Sequence, residues 1–256
     1  LDLLPNISHR DWIHYYAMLT APVICVPYDS KIKTIDDLVA EFKARPGEVK
    51  VASAGVGAGG HLAAETFRKA TGIEYRHIPY KGGYPAVVST VKGETEVVMQ
   101  LSMEVADMLR AKKLRALANM STQALVIDGY GEVPPVMQFI PDHAPLQYLF
   151  GLYIPKDTPQ DAVDAINKAF DAAAASDSMK RLAKEKASAV VNYKGEEALK
   201  LSETTGNNVN CILQEIGIAK KDEKKGESRD KIFKPGRANP LNFGRDEDLL
   251  LFLQRI

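Results

Sequence analysis

Four glycines fall within six residues of the stretch KVASAGVGAGGHLAAE, Lys50 to Glu65: Gly55, Gly57, Gly59 and Gly60. A β-branched run leads in and a helical pattern leads out. Such a turn aims several backbone N–H groups at one spot on the positive end of a helix dipole, and so favours a small anion. A dinucleotide, a phosphate or a carboxylate would fit, and a tight strand-to-helix turn that holds nothing would use the same residues. Gly55-Val56-Gly57-Ala58-Gly59-Gly60 satisfies G-x-G-x-x-G when read literally. A dinucleotide site also needs an acidic residue at the end of the next strand to grip the ribose. That strand ends HIPYKG, with Tyr80 and Lys81 in the required place and the nearest acid, Glu74, at its start. A P-loop needs Gly-Lys-Ser/Thr, whereas this loop ends Gly60-His61-Leu62. Both nucleotide readings fail at these residues.

A second glycine turn, PYKGGYPAVV, stands immediately before the next helical pattern. If the two strands are parallel neighbours, both turns lie at their carboxyl ends, where open α/β sheets bind ligands. Two helix starts converging on one spot would make a carboxylate pocket built largely from backbone donors, with Tyr80 and Lys81 able to add a hydroxyl and a charge.

Other chemistry is thinly supported. His61 and Glu65 are four apart on one helix face, a spacing that can hold a metal. They are half a site, and His9, His14, His77 and His143 are scattered, so His61 is expected to cap or pack the helix start. No Gly-x-Ser-x-Gly elbow is present. Cys25 lies in the apolar run PVICVP, mid-strand, rather than at a helix start where its thiol would be activated. Asp36, Asp37, Asp161 and Asp164 are explained by helix starts and solvated faces. No catalytic constellation, cofactor or metal site is expected.

The elements that must position the turns follow from periodicity. PVICVPYDSKIKTIDDLVAEFKARPGEVKVASAG reads strand, helix, strand, with Thr34 as N-cap, Asp37 three residues on, and Ile35, Leu38 and Phe42 on one face. After the glycine loop come a helix from His61 to Ala70 ended by Gly72, the strand IEYRHIPY, a helix ended by Gly93, the strand TEVVMQL, the helix MEVADMLRAKK and the strand LRALANM. That alternation predicts a parallel sheet covered by helices. VIDGYGEVPPVMQFIPDHAP reads as a loop or crossing segment. Beyond it lie the strand QYLFGLYIP, a helix capped by Thr158 with Pro159 at its first position, two further helices, and a short extended piece, SAVVNY.

Formal net charge is zero over 256 residues, which argues against binding nucleic acid by phosphate neutralisation. No apolar run approaches a membrane span. Two cysteines, Cys25 and Cys211, supply no metal motif. Residues 220–256 are charged and then loop-like, and read as a peripheral or mobile tail.

SAGVGAGGHLAAE, YRHIPYKGGYPAVVSTVKGE, KLRALANMS and YIPKDTPQDAVDAINKAF, in that order, resemble the solute-binding proteins of the tripartite tricarboxylate transporter system over about Trp12 to Ile218. The resemblance implies an α/β, type II periplasmic-binding-protein fold: two α/β domains with a ligand cleft and a hinge. It divides the chain into residues 1–27 of domain one, 28–121 as domain two, 122–149 as a crossing segment, and 150–219 as the return to domain one. It implies an extracytoplasmic receptor that captures a small organic carboxylate and hands it to a membrane permease. The family's ligand positions map onto Ser53, Ala54, Gly55, Val56, Gly57 and Ala58, and onto Tyr80, Lys81, Gly82 and Gly83. Two departures concern the ligand: Ala58 stands where the family usually has Ser, and Pro134-Pro135-Val136-Met137-Gln138 where it often has Pro-Thr and then Glu. The chain opens at Leu1, with no counterpart of the family's signal peptide, first strand and first glycine-rich loop, so domain one is expected to be incomplete at its N-terminus. Two alternatives stay open: a truncated or degenerate relative working through protein contacts, and, on the literal G-x-G-x-x-G alone, a nucleotide-using enzyme.

Overall fold

A computed structural model describes residues 8–217. In chain order these form β1 (Trp12–Thr20), β2 (Pro22–Pro27), α1 (Ile35–Ala44), β3 (Lys50–Ser53), α2 (Gly59–Thr71), β4 (Arg76–Pro79), α3 (Gly83–Val91), β5 (Val97–Leu101) and α4 (Ser102–Arg110). Then follow β6 (Leu114–Asn119), β7 (Leu125–Ile127), β8 (Gly131–Val133), β9 (Tyr148–Pro155), α5 (Gln160–Ala175), α6 (Asp177–Glu185), β10 (Ala189–Lys194) and α7 (Gly195–Glu215). The 220–256 tail lies outside the described residues.

A five-stranded sheet has the order β4-β3-β5-β2-β6. β3 is parallel to β4 and β5, as the alternation predicts, but β2 runs antiparallel to both β5 and β6. The sheet is therefore mixed rather than parallel. The strand–helix–strand rule constrains direction only between neighbours, and α1 links β2 to β3, which are separated by β5. Period-two alternation divides the sheet's two faces. Ile24, Val26, Val51, Val97 and Met99 pack with Leu38, Phe42, Leu62 and Phe67 of α1 and α2. Val23, Cys25, Ala52 and Val98 pack with Ala86, Val87, Val105 and Leu109 of α3 and α4. With both faces covered, these strands read as continuous apolar runs.

A second, antiparallel sheet has the order β10-β1-β9. Tyr15 of β1 packs edge-on against Phe170 of α5 at 5.2 Å and donates a 2.9 Å hydrogen bond to Asn167. β1 is absent from the sequence expectations because Tyr15 and Tyr16 are both buried, with a register shift between Tyr16 and Met18. That bulge blurs the alternation by which a strand is recognised. The segment read as a loop contains the β7–β8 hairpin and a single 3-10 turn, Val136–Gln138. Helix α5 starts one residue later than expected, with Pro159 at the N-cap, while Thr158 donates its hydroxyl to the Pro155 carbonyl.

Candidate functional site

β3, β4 and β5 point the same way side by side, so Ser53, Pro79 and Leu101 end at one edge, where α2, α3 and α4 begin. The Tyr80 N–H donates to the Ser53 carbonyl at 2.9 Å and the Gly82 N–H to the Ala54 carbonyl at 3.1 Å. The second loop is thus laid against the first. Gly57 and Gly82 have φ of +77° and +113°, backbone that costs a residue with a β-carbon roughly 1–3 kcal/mol. Gly60 serves a different need: a Cβ there would collide with the Met99 carbonyl, so its bare backbone lets α2 lie against β5. Gly83 meets the Glu104 carboxylate in the same way.

None of the three helix starts at this edge carries a side-chain cap, the N-cap residues being Ala58, Gly82 and, for α4, Leu101. By contrast, α1 has the complete Thr34–Asp37 capping box expected from its sequence. The first-turn N–H groups of α2 and α3 therefore lack side-chain acceptors at their caps, and both helix dipoles present partial positive charge to the same edge. Val56 and Tyr84 flank these donors, 62% and 67% exposed, as an apolar rim, and Lys81 is exposed beside them. Tyr84 is not among the positions expected from sequence; a large side chain directly after paired glycines was the available signal.

The loop after β3 is held from behind by histidines. The Gly57 N–H donates to His61 Nδ1 at 3.1 Å, the His61 ring stacks on the His77 ring at 4.1 Å and 14°, and His77 Nε2 lies 2.7 Å from the Ser53 hydroxyl. Ser53 in turn donates to the Gly55 carbonyl and accepts from the Gly55 N–H. Burial lowers the pKa of both imidazoles: His61 against the opposing pull of Glu65, and His77 down to about 4, with a further push from His61. A cavity of about 420 Å³ adjoins the pair, lined also by Glu65, Arg68, Tyr75 and Glu215. Glu65 is engaged by the Tyr75 hydroxyl at 2.6 Å and by Arg68 at 3.0 Å. Among the described residues no group of three or more His, Cys, Asp or Glu side chains could hold a metal.

Beneath the two helix starts lies Gln100, at the end of the otherwise apolar strand VVMQL and 2% exposed. Its side chain occupies the space that Cβ atoms on Gly60 or Gly83 would enter. Gln100 Oε1 and Glu104 Oε2 have no hydrogen-bond partner among the described residues. Burial raises the Glu104 pKa, opposed by Gln100 and the Leu101 backbone. The polar end of an apolar strand was the sequence signal for Gln100.

The ten expected positions therefore lie together on two adjoining loops, in different environments. Ser53 is fully buried and spends its hydroxyl on His77 and Gly55. Gly83 is buried, whereas Val56 and Lys81 stand in solvent. From the other sheet, Tyr148 donates to the Gly59 carbonyl at 3.3 Å, and Leu213 of α7 lies 3.7 Å from where a Gly57 Cβ would sit. Cys25 is buried and its thiol pKa is pushed far up by desolvation, which keeps it inert.

The model of the tripartite tricarboxylate transporter family receptor matches residues 2–218. The chain belongs to this receptor family. A Pseudomonas sp. (strain P51) protein of the UPF0065 group, from the tcbD-tcbE intergenic region, is 30% identical over 170 residues, covering 64% of this chain and 49% of its own. The match thus spans about half the length of that relative. A solute-binding receptor of the TctC type from Polaromonas, solved without ligand, superposes with a TM-score of 0.65 at 26% identity, over 82% of this chain and 72% of that one. R. palustris Rpa4515, solved with adipate, shares the fold at a TM-score of 0.70 and 21% identity, over 82% of this chain and 70% of that one. A UvrABC system protein C from Desulfatibacillum aliphaticivorans is 52% identical over 63 residues, 25% of this chain but 10% of that protein, a share that transfers none of its activity. The fold of the receptor family is thus a periplasmic-binding-protein fold, and no helix of the described residues is long and apolar enough to cross a membrane.

Proposed function

We propose that this receptor-family chain holds a small organic carboxylate at the loops after β3 and β4, outside the cytoplasm, and passes it unchanged to a membrane permease. The observation that carries the reading is the pair of uncapped helix starts, Ala58–Gly59 and Gly82–Gly83, hydrogen-bonded loop to loop at one sheet edge. A carboxylate there would accept from first-turn N–H groups, with Lys81 adding charge and Val56 and Tyr84 covering its hydrocarbon part. Ser53, Ala54, Gly55, Val56, Gly57, Ala58, Tyr80, Lys81, Gly82 and Gly83 make up the proposed site. Ser53 acts within it through the loop rather than by contact. In this reading the five-stranded sheet is the core of the lobe spanning 28–121, with β2 threaded through it. The β10-β1-β9 sheet belongs to the lobe of 1–27 and 150–219. The chain crosses between them at Ala21 and through 122–149, and closure is a hinge motion. The adipate bound by Rpa4515 lends support only through shared fold. Ser53 stands beside His77 Nε2 at 2.7 Å, but its hydroxyl is fully buried and directed to the Gly55 carbonyl, so transport without covalent chemistry is the reading.

A thermal-shift screen against a panel of small carboxylates, adipate and malate among them, with NAD and ATP alongside, tests this. A ligand at about a hundredfold over its Kd stabilises by roughly 2.7 kcal/mol. Stabilisation by one or a few carboxylates and none by nucleotides is expected. The second reading, a relative acting through protein contacts, is favoured by Ala58 and by the way Leu213 and Tyr148 already cover part of the loop. No response across the whole panel would favour it.

A further inference from the structure

We propose that His61 and His77 are positioning residues for the glycine loop, which is set for ligand only while the His61 imidazole is neutral, so that a proton taken up at His61 releases the loop.

The inference deepens the receptor reading and rests on it for its consequence, but it stands on geometry of its own. A backbone N–H can only donate, so the 3.1 Å bond from Gly57 requires an unprotonated Nδ1 on His61 and places that ring's proton on Nε2. A second proton on this ring must go to Nδ1, which then becomes a donor facing a donor. The bond it breaks fixes Gly57, the residue whose φ of +77° turns the loop towards α2. His77 holds the other end: Ser53 gives its one proton to the Gly55 carbonyl, so His77 Nε2 at 2.7 Å donates to that hydroxyl, a bond that outlasts protonation of His77, whose charge acts instead on the stacked His61. One stacked ring pair therefore fixes both glycine corners. Burial makes the pair resist a first proton, and because the rings lie 4.1 Å apart the charge on one then opposes a charge on the other, so a second is resisted more strongly.

Groups from every neighbouring element bear on the pair. Within α2, Glu65 Oε1 lies 3.9 Å from His61 Nε2 and favours its protonation, but that carboxylate is shared with Arg68 and with the hydroxyl of Tyr75, in the segment before β4. Glu74 pairs with Arg68 at 3.7 Å, and from α7 Glu215 reaches the cavity wall while paired to Lys69 at 2.9 Å. Burial outweighs these acids, and both imidazoles titrate below the ordinary histidine range. The loop is therefore set at neutral pH and released in acid.

The test is amide exchange by NMR on the 15N-labelled chain, reading Gly57 against Val98, a β5 amide in the fully buried core. Protection is expressed relative to the intrinsic rate at each pH. Between about pH 7.5 and about pH 3.5, Gly57 is expected to lose about tenfold in protection while Val98 keeps its own, the factor matching roughly 1.4 kcal/mol of lost interaction. His61→Asn keeps an acceptor oxygen near the place of Nδ1 and does not titrate, so its Gly57 should stay protected and insensitive to pH. His61→Phe keeps a ring in the stack and has no acceptor, so its Gly57 should be unprotected throughout. Gly57 protection that is flat with pH in the unaltered chain overturns the proposal, as does equal protection in His61→Phe. The wild-type arm decides even if a variant fails to fold. A carboxylate panel run on the same sample separates the two claims. No carboxylate response with the expected Gly57 behaviour leaves the positioning pair standing and removes the receptor reading, and the converse removes only the pair.

Discussion

At the scale of single residues, the glycine run divides into positions that shape the backbone and positions that make room. Gly57 bends the loop and Gly60 lets a helix touch a strand. The two should respond differently to one methyl group. Gly60→Ala drives a Cβ into the Met99 carbonyl and the Gln100 side chain, an overpacking expected to cost about 1–3 kcal/mol. Gly57→Ala meets nothing closer than Leu213 and suffers only its left-handed backbone, roughly 1–2 kcal/mol, while placing a methyl group among the proposed donors. Denaturant titration and carboxylate binding measured on both variants should show a larger stability loss at 60 and a larger binding loss, relative to stability, at 57. The reverse ranking would mean that the loop's packing and ligand roles are assigned to the wrong residues. From the sequence, the cluster of glycines was legible as a turn, but its division of labour was not, because nothing in a glycine letter distinguishes a positive φ from a missing side chain. The histidine pair was hidden for a similar reason: His61 and His77 are sixteen residues apart and meet only because β4 pairs in register with β3.

At the scale of elements, the helix starts carry the argument. Thr34 and Asp37 form the capping box that their spacing announced, whereas α2 and α3 start uncapped, as α4, α5 and α7 also do, and it is the convergence of the first two on one edge that matters for the site. Ala58 occupies the N-cap of α2 with extended backbone, φ −72° and ψ 164°, the geometry in which a serine hydroxyl reaches the first turn. Ala58→Ser should therefore stabilise the chain by about 1 kcal/mol in denaturant titration. It would also place in the loop the hydroxyl that the family usually has there. A neutral or destabilising result would mean that those N–H groups are already satisfied. The elements that sequence reading placed best, α1, α2 and β3, have clean periodicity and local stop signals such as Gly72, in left-handed conformation at φ +69°. Those it misread depend on distant partners: β2 takes its antiparallel direction from β5 and β6, and β1 carries a bulge against both neighbours.

At the scale of the whole molecule, the histidines make stability depend on acidity. His61, His77 and His143 all have pKa values lowered by burial, His77 and His143 to about 4. A base held neutral in the fold binds fewer protons there than in the unfolded chain, so stability rises with pH from about 4 to about 6.5 and levels off above. Carboxylates held below their ordinary range by hydrogen bonds or ion pairs, Asp37 and Glu41 among them, lose their contribution only at still lower pH. Neither ring nitrogen of His143 has a hydrogen-bond partner among the described residues, although the Ala144 backbone weakly opposes its lowered pKa. Replacing it removes both a proton trap and an unsatisfied buried polar group. His143→Leu should raise the melting temperature at pH 5 by more than at pH 8, and an equal shift at both would mean that His143 does not titrate on unfolding.

The most direct test of the carboxylate site is to map amide shifts on the 15N-labelled chain as the most stabilising carboxylate of the panel is added. Shifts concentrated at residues 54–60 and 80–84, with Gly59, Gly60 and Tyr84 among the largest, are what the site described here predicts. Shifts centred on the cavity by Glu74 and Glu215, or none at the two glycine loops, would contradict it.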